Sequence, residues 1–280
     1  MSYLKQHELG VVGLALLRNW LVGDKTVTKS LLQEIRELTN ETKNKFNRKS
    51  EKVTSFNVSE GYKAWSDTYD SMPNLLLEVE EPTVKTILKK FKPGSALDAA
   101  CGTGRYSELL NSLGYKVTGM DLSPAMLSQA RKTRNGKINF IEGNLMAIPF
   151  KDTSIDLTIC ALALSHLPNI EKALSEFKRI TRPSGHIIIS DIHPWLVMLG
   201  CQAEFVDKTG KHGYILNHIH WHSNYLKSFK NLQLKVIECF EPVMESKHTQ
   251  LAKVGFDLKE KTVATALEGL PIALIWVLER

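Results

Sequence analysis

Three histidines stand at alternate positions in the run His218-Ile-His-Trp-His222, and alternate positions on an extended chain share one face. Imidazoles so arranged suit a zinc site or proton transfer near neutral pH. Two more, His166 in Leu164-Ser-His-Leu-Pro168 and His193 in Asp191-Ile-His-Pro-Trp195, each follow an apolar run. A second kind of chemistry is suggested by Leu97-Asp-Ala-Ala-Cys-Gly-Thr-Gly-Arg-Tyr-Ser107. Gly102 and Gly104 strip the side chains from a turn, so a ligand can approach backbone amides at the start of the next helix. Asp98 precedes the first glycine by four positions, and Asp121 and Asn144 close or follow the next two β-rich segments.

These residues act together only if a scaffold brings strand ends to one place. Residues 95–98, 117–121, 138–141, 155–160 and 186–190 read as short strands, the last two apolar at consecutive positions as strands buried on both faces must be. Residues 82–91 and 123–134 read as helices, the second opened by Ser-Pro. Strands alternating with helices imply a parallel sheet with right-handed crossovers. Such a sheet binds its ligand beyond the carboxyl ends of the strands, where the strand order reverses.

Residues 1–58 read as a helical extension. Leu9, Val12, Leu16, Leu17, Trp20 and Leu21 recur at helical spacing, Gly23 offers a stop, and Leu31, Leu32, Ile35 and Leu38 form a second stripe. Residues 40–58 turn polar and lysine-rich and read as a connector. Residues 59–280 form the main domain, with an insertion at 192–224. Within it, 202–206, a turn at 207–211 and 213–222 are expected as a hairpin, followed by a helix capped by Ser223. That hairpin would present Tyr214, His218, His220 and His222 on one face, over the site. No acid or cysteine in the run completes a ligand set, so no metal is expected and the histidines read as a pocket wall or a solvent-facing edge.

Composition excludes several classes. With 280 residues, 43% of them hydrophobic, the chain can bury one large core without staples. The formal charge is +6, but 36 basic residues are dispersed among 30 acidic ones, and the densest basic stretch, 43–49, lies in the connector. No nucleic-acid partner is therefore expected. The 4 cysteines form no CxxC pair, which suits a reducing compartment. No run approaches the ~18 apolar residues of a membrane span, and no secretion signal is visible. A cytoplasmic protein, monomer or homodimer, is expected.

Five segments in order, DAACGTGRYS, GMDLSPAML, EGNLMAIPF, IDLTICALALSHL and RITRPSGHIIISD, resemble the motifs of class I S-adenosylmethionine-dependent methyltransferases. The resemblance covers about residues 61–191 and, more loosely, the rest to the C-terminus. It implies an α/β fold: a Rossmann-like seven-stranded, mostly parallel sheet with helices on both faces. Residues 234–240 and 272–278 would be its last two strands, one of them antiparallel. S-adenosylmethionine is the implied cofactor. Gly102 and Gly104 would line its methionine part, with Ala99 also at the cofactor and Asp98 accepting hydrogen bonds nearby or fixing the loop. Asp121 would accept from both ribose hydroxyls, and Leu122 and Met126 would pack on the adenine. Asn144, where the family usually has Asp, and Leu145 would meet the adenine edge. Ala161 and Leu162 would face the sulfonium and the acceptor. The stretch 62–70 resembles the family's pre-motif helix, whose aromatics close over the cofactor, here with Tyr69. The other reading of Tyr62, Trp65 and Tyr69 is a helix stripe packed on the core.

Methyl transfer is an in-line displacement, and a base is needed only for an acceptor such as a hydroxyl. His193 is the first candidate because residues past a strand's carboxyl end face the cleft. His220 is another, and His166 a third for which a structural role is the stronger reading. Asp191 is placed either to orient His193 or to cap the strand end. The expected activity is methylation of a small-molecule acceptor with apolar surface, a natural-product or lipid-like metabolite. An RNA or protein methyltransferase is disfavoured because Ala161-Leu-Ala-Leu164 replaces the Asn/Asp-Pro-Pro-Tyr/Phe stretch of base-modifying enzymes. An intact glycine turn and Asp121 argue against a binding protein without activity. Ser107, where a dinucleotide fingerprint wants Gly or Ala, argues against a nicotinamide enzyme.

Overall fold

The computed structural model describes residues 3–21, 23–44, 53–134, 137–254 and 256–280. Two helices, α1 (Tyr3–Asn19) and α2 (Lys25–Asn44), precede a short strand β1 (Thr54–Phe56) and α3 (Val58–Trp65). The alternating part follows: α4 (Leu75–Leu88), β2 (Ser95–Ala99), α5 (Arg105–Ser112), β3 (Lys116–Asp121), α6 (Pro124–Thr133), β4 (Asn139–Glu142), β5 (Ile155–Ala161), α7 (Glu171–Ile180) and β6 (Thr181–Ile192). Then come α8 (Pro194–Met198), β7 (Ala203–Val206), β8 (His212–Ile215), α9 (His222–Asn231), β9 (Lys235–Phe240), α10 (Thr249–Ala252), α11 (Glu260–Leu267) and β10 (Ala273–Glu279).

Seven strands form one sheet in the order β4-β3-β2-β5-β6-β10-β9, with β10 antiparallel to both neighbours. The chain leaves β2 toward β3 and β4 on one side, then returns to build β5 and β6 on the other. The order therefore reverses between β2 and β5, which places a crevice at their carboxyl ends. Period-two alternation divides the core. Ala96, Leu157 and Ile188 pack with Val84, Leu110 and Leu127 from α4, α5 and α6. Leu97, Ile187 and Trp276 face the other way, onto Leu174, Phe177 and Phe229 of α7 and α9.

Three departures from expectation have local causes. Helix α4 starts at Leu75, with Pro82 inside it, because Asn74 caps it by accepting the amides of Leu76 at 2.9 Å and Leu77 at 3.4 Å. Proline is favoured in a first turn, but here the cap and the apolar Leu75, Leu76 and Leu77 start the helix earlier. The second departure is β1, which pairs parallel with β8 and so joins the β7–β8 hairpin into a three-stranded sheet. It lies in the stretch read as a connector, of which residues 45–52 are outside the described residues.

The third concerns the histidines. Strand β8 ends at Ile215, so His218 and His220 lie in an irregular segment and His222 opens α9. The shared face expected of the three is absent. The cap of α9 is Trp221 rather than Ser223, the Trp221 amide donating to Oδ1 of Asn224 at 2.8 Å.

The N-terminal helices close on the C-terminal part of the chain. Arg18 donates to the carbonyls of Ala266 at 3.0 Å and Glu268 at 2.8 Å. Glu34 accepts from the Lys259 amide at 3.0 Å and the Thr262 hydroxyl at 2.5 Å. Val12, Ala15, Leu31 and Leu38 share a core with Val263, Ala266 and Ile272. No helix among the described residues is long and apolar enough to cross a membrane.

Candidate active site

The turn after β2 carries three left-handed residues at alternate positions, Ala100 (φ 60°), Gly102 (φ 54°) and Gly104 (φ 83°). Glycine adopts that region freely, whereas a residue with a Cβ is strained there. A Cβ at Gly104 would also stand 2.9 Å from Cζ of Phe140. The turn delivers the chain to α5, whose unpaired first amides make its N-terminus an anion-attracting end.

Asp121 ends β3, the strand next to β2. Its Oδ2 accepts the Gly102 amide at 2.7 Å and its Oδ1 the Ser123 amide at 2.8 Å. Burial raises the pKa of this carboxyl, and the amides of Ser123 and Gly102 pull it back. Each oxygen retains a lone pair for a further donor. Asp98 lies beneath, buried in β2, and accepts the Ser107 hydroxyl at 2.6 Å. Ser107 thus clasps α5 to β2. Gly119 of β3 makes room for that clasp, since a Cβ there would meet Oγ of Ser107 at 2.8 Å.

A second buried acid escaped the sequence reading. Glu80 of α4 is fully buried, accepts the Tyr106 hydroxyl at 2.5 Å and the Ser190 hydroxyl, and lies 3.5 Å from Nη1 of Arg105. It ties α4 to α5 and β6. Its partners lie 26 and 110 residues away in the chain, so only the fold reveals it.

The remaining walls come from β4 and β5. Asn144 follows β4 and accepts the Met146 amide at 2.9 Å through Oδ1, closing its own turn. Leu145 packs against the core, Leu122 is 44% exposed and Met126 is fully buried. Leu162 follows β5 with φ 55°, and its amide donates to the Ser190 carbonyl at 2.8 Å. Ala100 and Leu162 therefore place two strained residues on the two sides of the order reversal. Strain of this kind is retained where the surroundings over-determine it, commonly at functional sites.

An aromatic file from α3 borders the cleft. Tyr62 packs on Trp65 and Tyr69 at centroid separations of 5.8 and 6.3 Å, and Trp65 stacks on Phe205 of β7 at 5.5 Å. Thr68 donates to the Val206 carbonyl at 2.7 Å, and Thr103 of the glycine turn to Asp70 at 2.9 Å. This segment thus links the glycine turn to the insertion. The Tyr62 hydroxyl meets Nε2 of His166 at 2.8 Å, and Nδ1 of His166 lies 3.1 Å from the Leu216 carbonyl. A carbonyl only accepts, so Nδ1 carries the proton and neutral His166 accepts from Tyr62 through Nε2. Burial lowers the pKa of His166, which favours that neutral form.

His220 also braces the exit of β5, its Nε2 donating to the Leu167 carbonyl at 2.8 Å. His193 lies elsewhere, beyond β6. Its amide donates to the Ile272 carbonyl at 2.9 Å, its Nδ1 accepts the Trp195 amide at 3.5 Å as the cap of α8, and its Nε2 lies 3.0 Å from Oε1 of Glu241. Asp191 does not orient His193. Asp191 accepts the Ser165 amide at 2.6 Å and the Ile192 amide at 2.9 Å, which is the strand-end role, and Glu241 is the partner of His193.

A seven-stranded sheet of this order, with a glycine turn and an acid at its reversal, is the architecture of the class I methyltransferases. Residues 97–189 match the model of the methyltransferase domain family. A malonyl-[acyl-carrier protein] O-methyltransferase of Yersinia pestis is 33% identical over 135 residues, 48% of this chain and 50% of that protein. A demethylmenaquinone methyltransferase of Lactococcus lactis is 30% identical over 164 residues, 54% of this chain and 65% of that protein. The chain spans about half the length of the first curated relatives that it matches. An S-adenosylmethionine dependent methyltransferase from Mesorhizobium loti shares the fold with a TM-score of 0.57 at 19% identity, covering 74% of this chain and 100% of that one. The chain thus carries the class I methyltransferase fold, and its similarity to the methyltransferase domain family lies in residues 97–189.

Proposed function

We propose that the protein transfers a methyl group from S-adenosylmethionine to a small-molecule acceptor. The observation that carries this reading is the junction of Gly102 with Asp121 at the order reversal, where backbone amides and a carboxylate converge. These residues fit the cofactor's chemistry. Amides at the turn and at the start of α5 suit its carboxylate, Asp121 suits its ribose hydroxyls, and exposed Leu122 offers an apolar surface to its adenine. Asp98, joined to Ser107, holds the turn in shape. Asn144 engages its own turn through Oδ1, which leaves its amide NH2 and the Leu145 backbone for the adenine edge. Ala161 and Leu162 form the wall toward the acceptor, and Tyr69, just past α3, closes the cleft with its aromatic neighbours Tyr62 and Trp65. When bound, the cofactor supplies an electrophilic methyl group on a sulfonium, and the protein's part is to align the acceptor and exclude water.

His220, at the β5 exit, donates to the Leu167 carbonyl through Nε2 and so keeps Nδ1 to receive a proton from an acceptor hydroxyl. His166 is already committed to Tyr62 and Leu216, and His193 to Trp195 and Glu241. Exposed Leu216, Ile219 and Trp221 in the adjoining segment support an acceptor with apolar surface. The name of one relative, a demethylmenaquinone methyltransferase, points the same way, whereas that of the malonyl-[acyl-carrier protein] O-methyltransferase names a charged acyl group on a carrier protein. Calorimetric titration with S-adenosylmethionine and S-adenosylhomocysteine tests the cofactor. Saturable binding followed by methyl transfer to demethylmenaquinone-like or acyl acceptors supports the reading, and absence of binding removes it.

A further inference from the structure

We propose that His193, His222 and Glu241 form a site for a divalent cation of the zinc class that fastens the two ends of the insertion to the edge of the sheet. Nε2 of His193 and Nε2 of His222 each lie 3.0 Å from Oε1 of Glu241, and one donor atom from each residue lies within 4.8 Å of the others. Two imidazoles and a carboxylate are the donor set of open zinc sites and of other first-row metals. Bonds of about 2.0–2.2 Å to a common centre are reached from these positions by shifts below about 1 Å. His193 is buried, while the side chains of His222 and Glu241 are 36% and 47% exposed. Three protein ligands with one wet side leave coordination positions for water.

The histidine run alone lacks an acid, and the fold supplies it. Glu241 follows β9, the outermost strand beside β10, and the two histidines bracket the insertion. His193 directly follows β6, and His222 is the first residue of α9. An ion held by both would close a loop of about 30 residues, and a clip across a loop of that size limits the unfolded chain more than a short one does. The His222 ring stands edge-on to Trp276 at 5.8 Å, so its direction is set by packing on β10. One term opposes binding. Nδ1 of His193 receives the Trp195 amide at 3.5 Å, at the outer limit of a hydrogen bond. A cation on Nε2 moves the ring proton to Nδ1 and forfeits that contact, a small cost for so long a hydrogen bond. Methyl transfer by in-line displacement does not require this ion.

The test is titration of tag-free, chelator-stripped protein with Co2+, read by its d–d absorption, then displacement by Zn2+ followed calorimetrically. The expected result is saturation at one equivalent and a higher melting temperature with metal. Glu241→Gln, which keeps side-chain size, and His222→Ala should each weaken binding at least ~10-fold, the loss that even an outer-shell partner brings, and should abolish the thermal shift. His218→Ala, outside the cluster, should change neither. Lack of saturable Co2+ absorption in the unaltered protein, or equal affinity in Glu241→Gln, would overturn the proposal. Melting of each metal-free variant shows whether it is folded.

Discussion

Gly102 donates its amide to Oδ2 of Asp121 at 2.7 Å, joining the turn after β2 to the last residue of β3. One carboxylate thereby shapes the turn at the carboxyl ends of the strands, where the order reverses. Adjacent parallel strands make this possible, because Ala99 pairs with Met120 and brings the two strand ends level.

Asp121→Ala should therefore damage two properties at once. Loss of a charged acceptor is worth ~1.5–3 kcal/mol per hydrogen bond, so affinity for S-adenosylhomocysteine should fall at least ~10-fold and the melting temperature should drop. Asp121→Asn keeps one carbonyl oxygen and should fall between. Calorimetry on the three proteins checks this, and equal affinities would detach Asp121 from the cofactor.

Asp98 makes a pH-dependent contribution. Burial pushes its carboxyl up to about 6 from an ordinary 3.8, against the Ser107 hydrogen bond that lowers it. The folded chain thus holds this proton more tightly than the unfolded one. The stability it contributes is complete below the unfolded pKa and is lost as pH rises through about 6, by roughly 3 kcal/mol. In denaturation series between about pH 4 and pH 7, Asp98→Asn should lose less stability than the parent. Parallel profiles would show that Asp98 does not titrate in this window.

The sheet was legible because its strands are short apolar runs separated by helices of one kind, and each such run signals itself locally. So were the glycine turn and Asp121, whose chemistry depends on position along a strand. What escaped depends on distant partners. Glu80 meets Ser190 across 110 residues, and Glu241 meets His193 across 48. Strand β1 has 3 residues and exists because β8 offers an edge. The histidine alternation misled for the opposite reason. It is a local signal, but strand pairing stops at Ile215, and the segment after it follows the β5 exit, where the His218 amide donates to the Ser165 carbonyl at 2.6 Å.

Ala100 is a test of stored strain. At φ 60° it occupies a region that costs a residue with a Cβ roughly 1–2 kcal/mol. Ala100→Gly should hold or raise stability by up to ~1 kcal/mol, after the entropy that glycine adds to the unfolded chain. Ala99→Gly, one residue earlier in extended and fully buried β2, should lower stability by ~1 kcal/mol or more. Urea denaturation distinguishes the pair, and a loss at both positions would mean that the left-handed turn carries no penalty.

Tyr62 and His166 should behave as a brace between α3 and the β5 exit. Tyr62→Phe leaves Nε2 of a buried, neutral imidazole without its donor, which costs about 1–3 kcal/mol and should appear as a lower melting temperature. His166→Leu in the Tyr62→Phe background removes the orphaned acceptor as well, so the double variant should lose less than the two single losses added together. Additive losses would mean that the 2.8 Å contact contributes little. A fall in methyl transfer beyond the fraction unfolded would instead place Tyr62 against the cofactor, the role that its aromatic neighbours in α3 and at Tyr69 also suit.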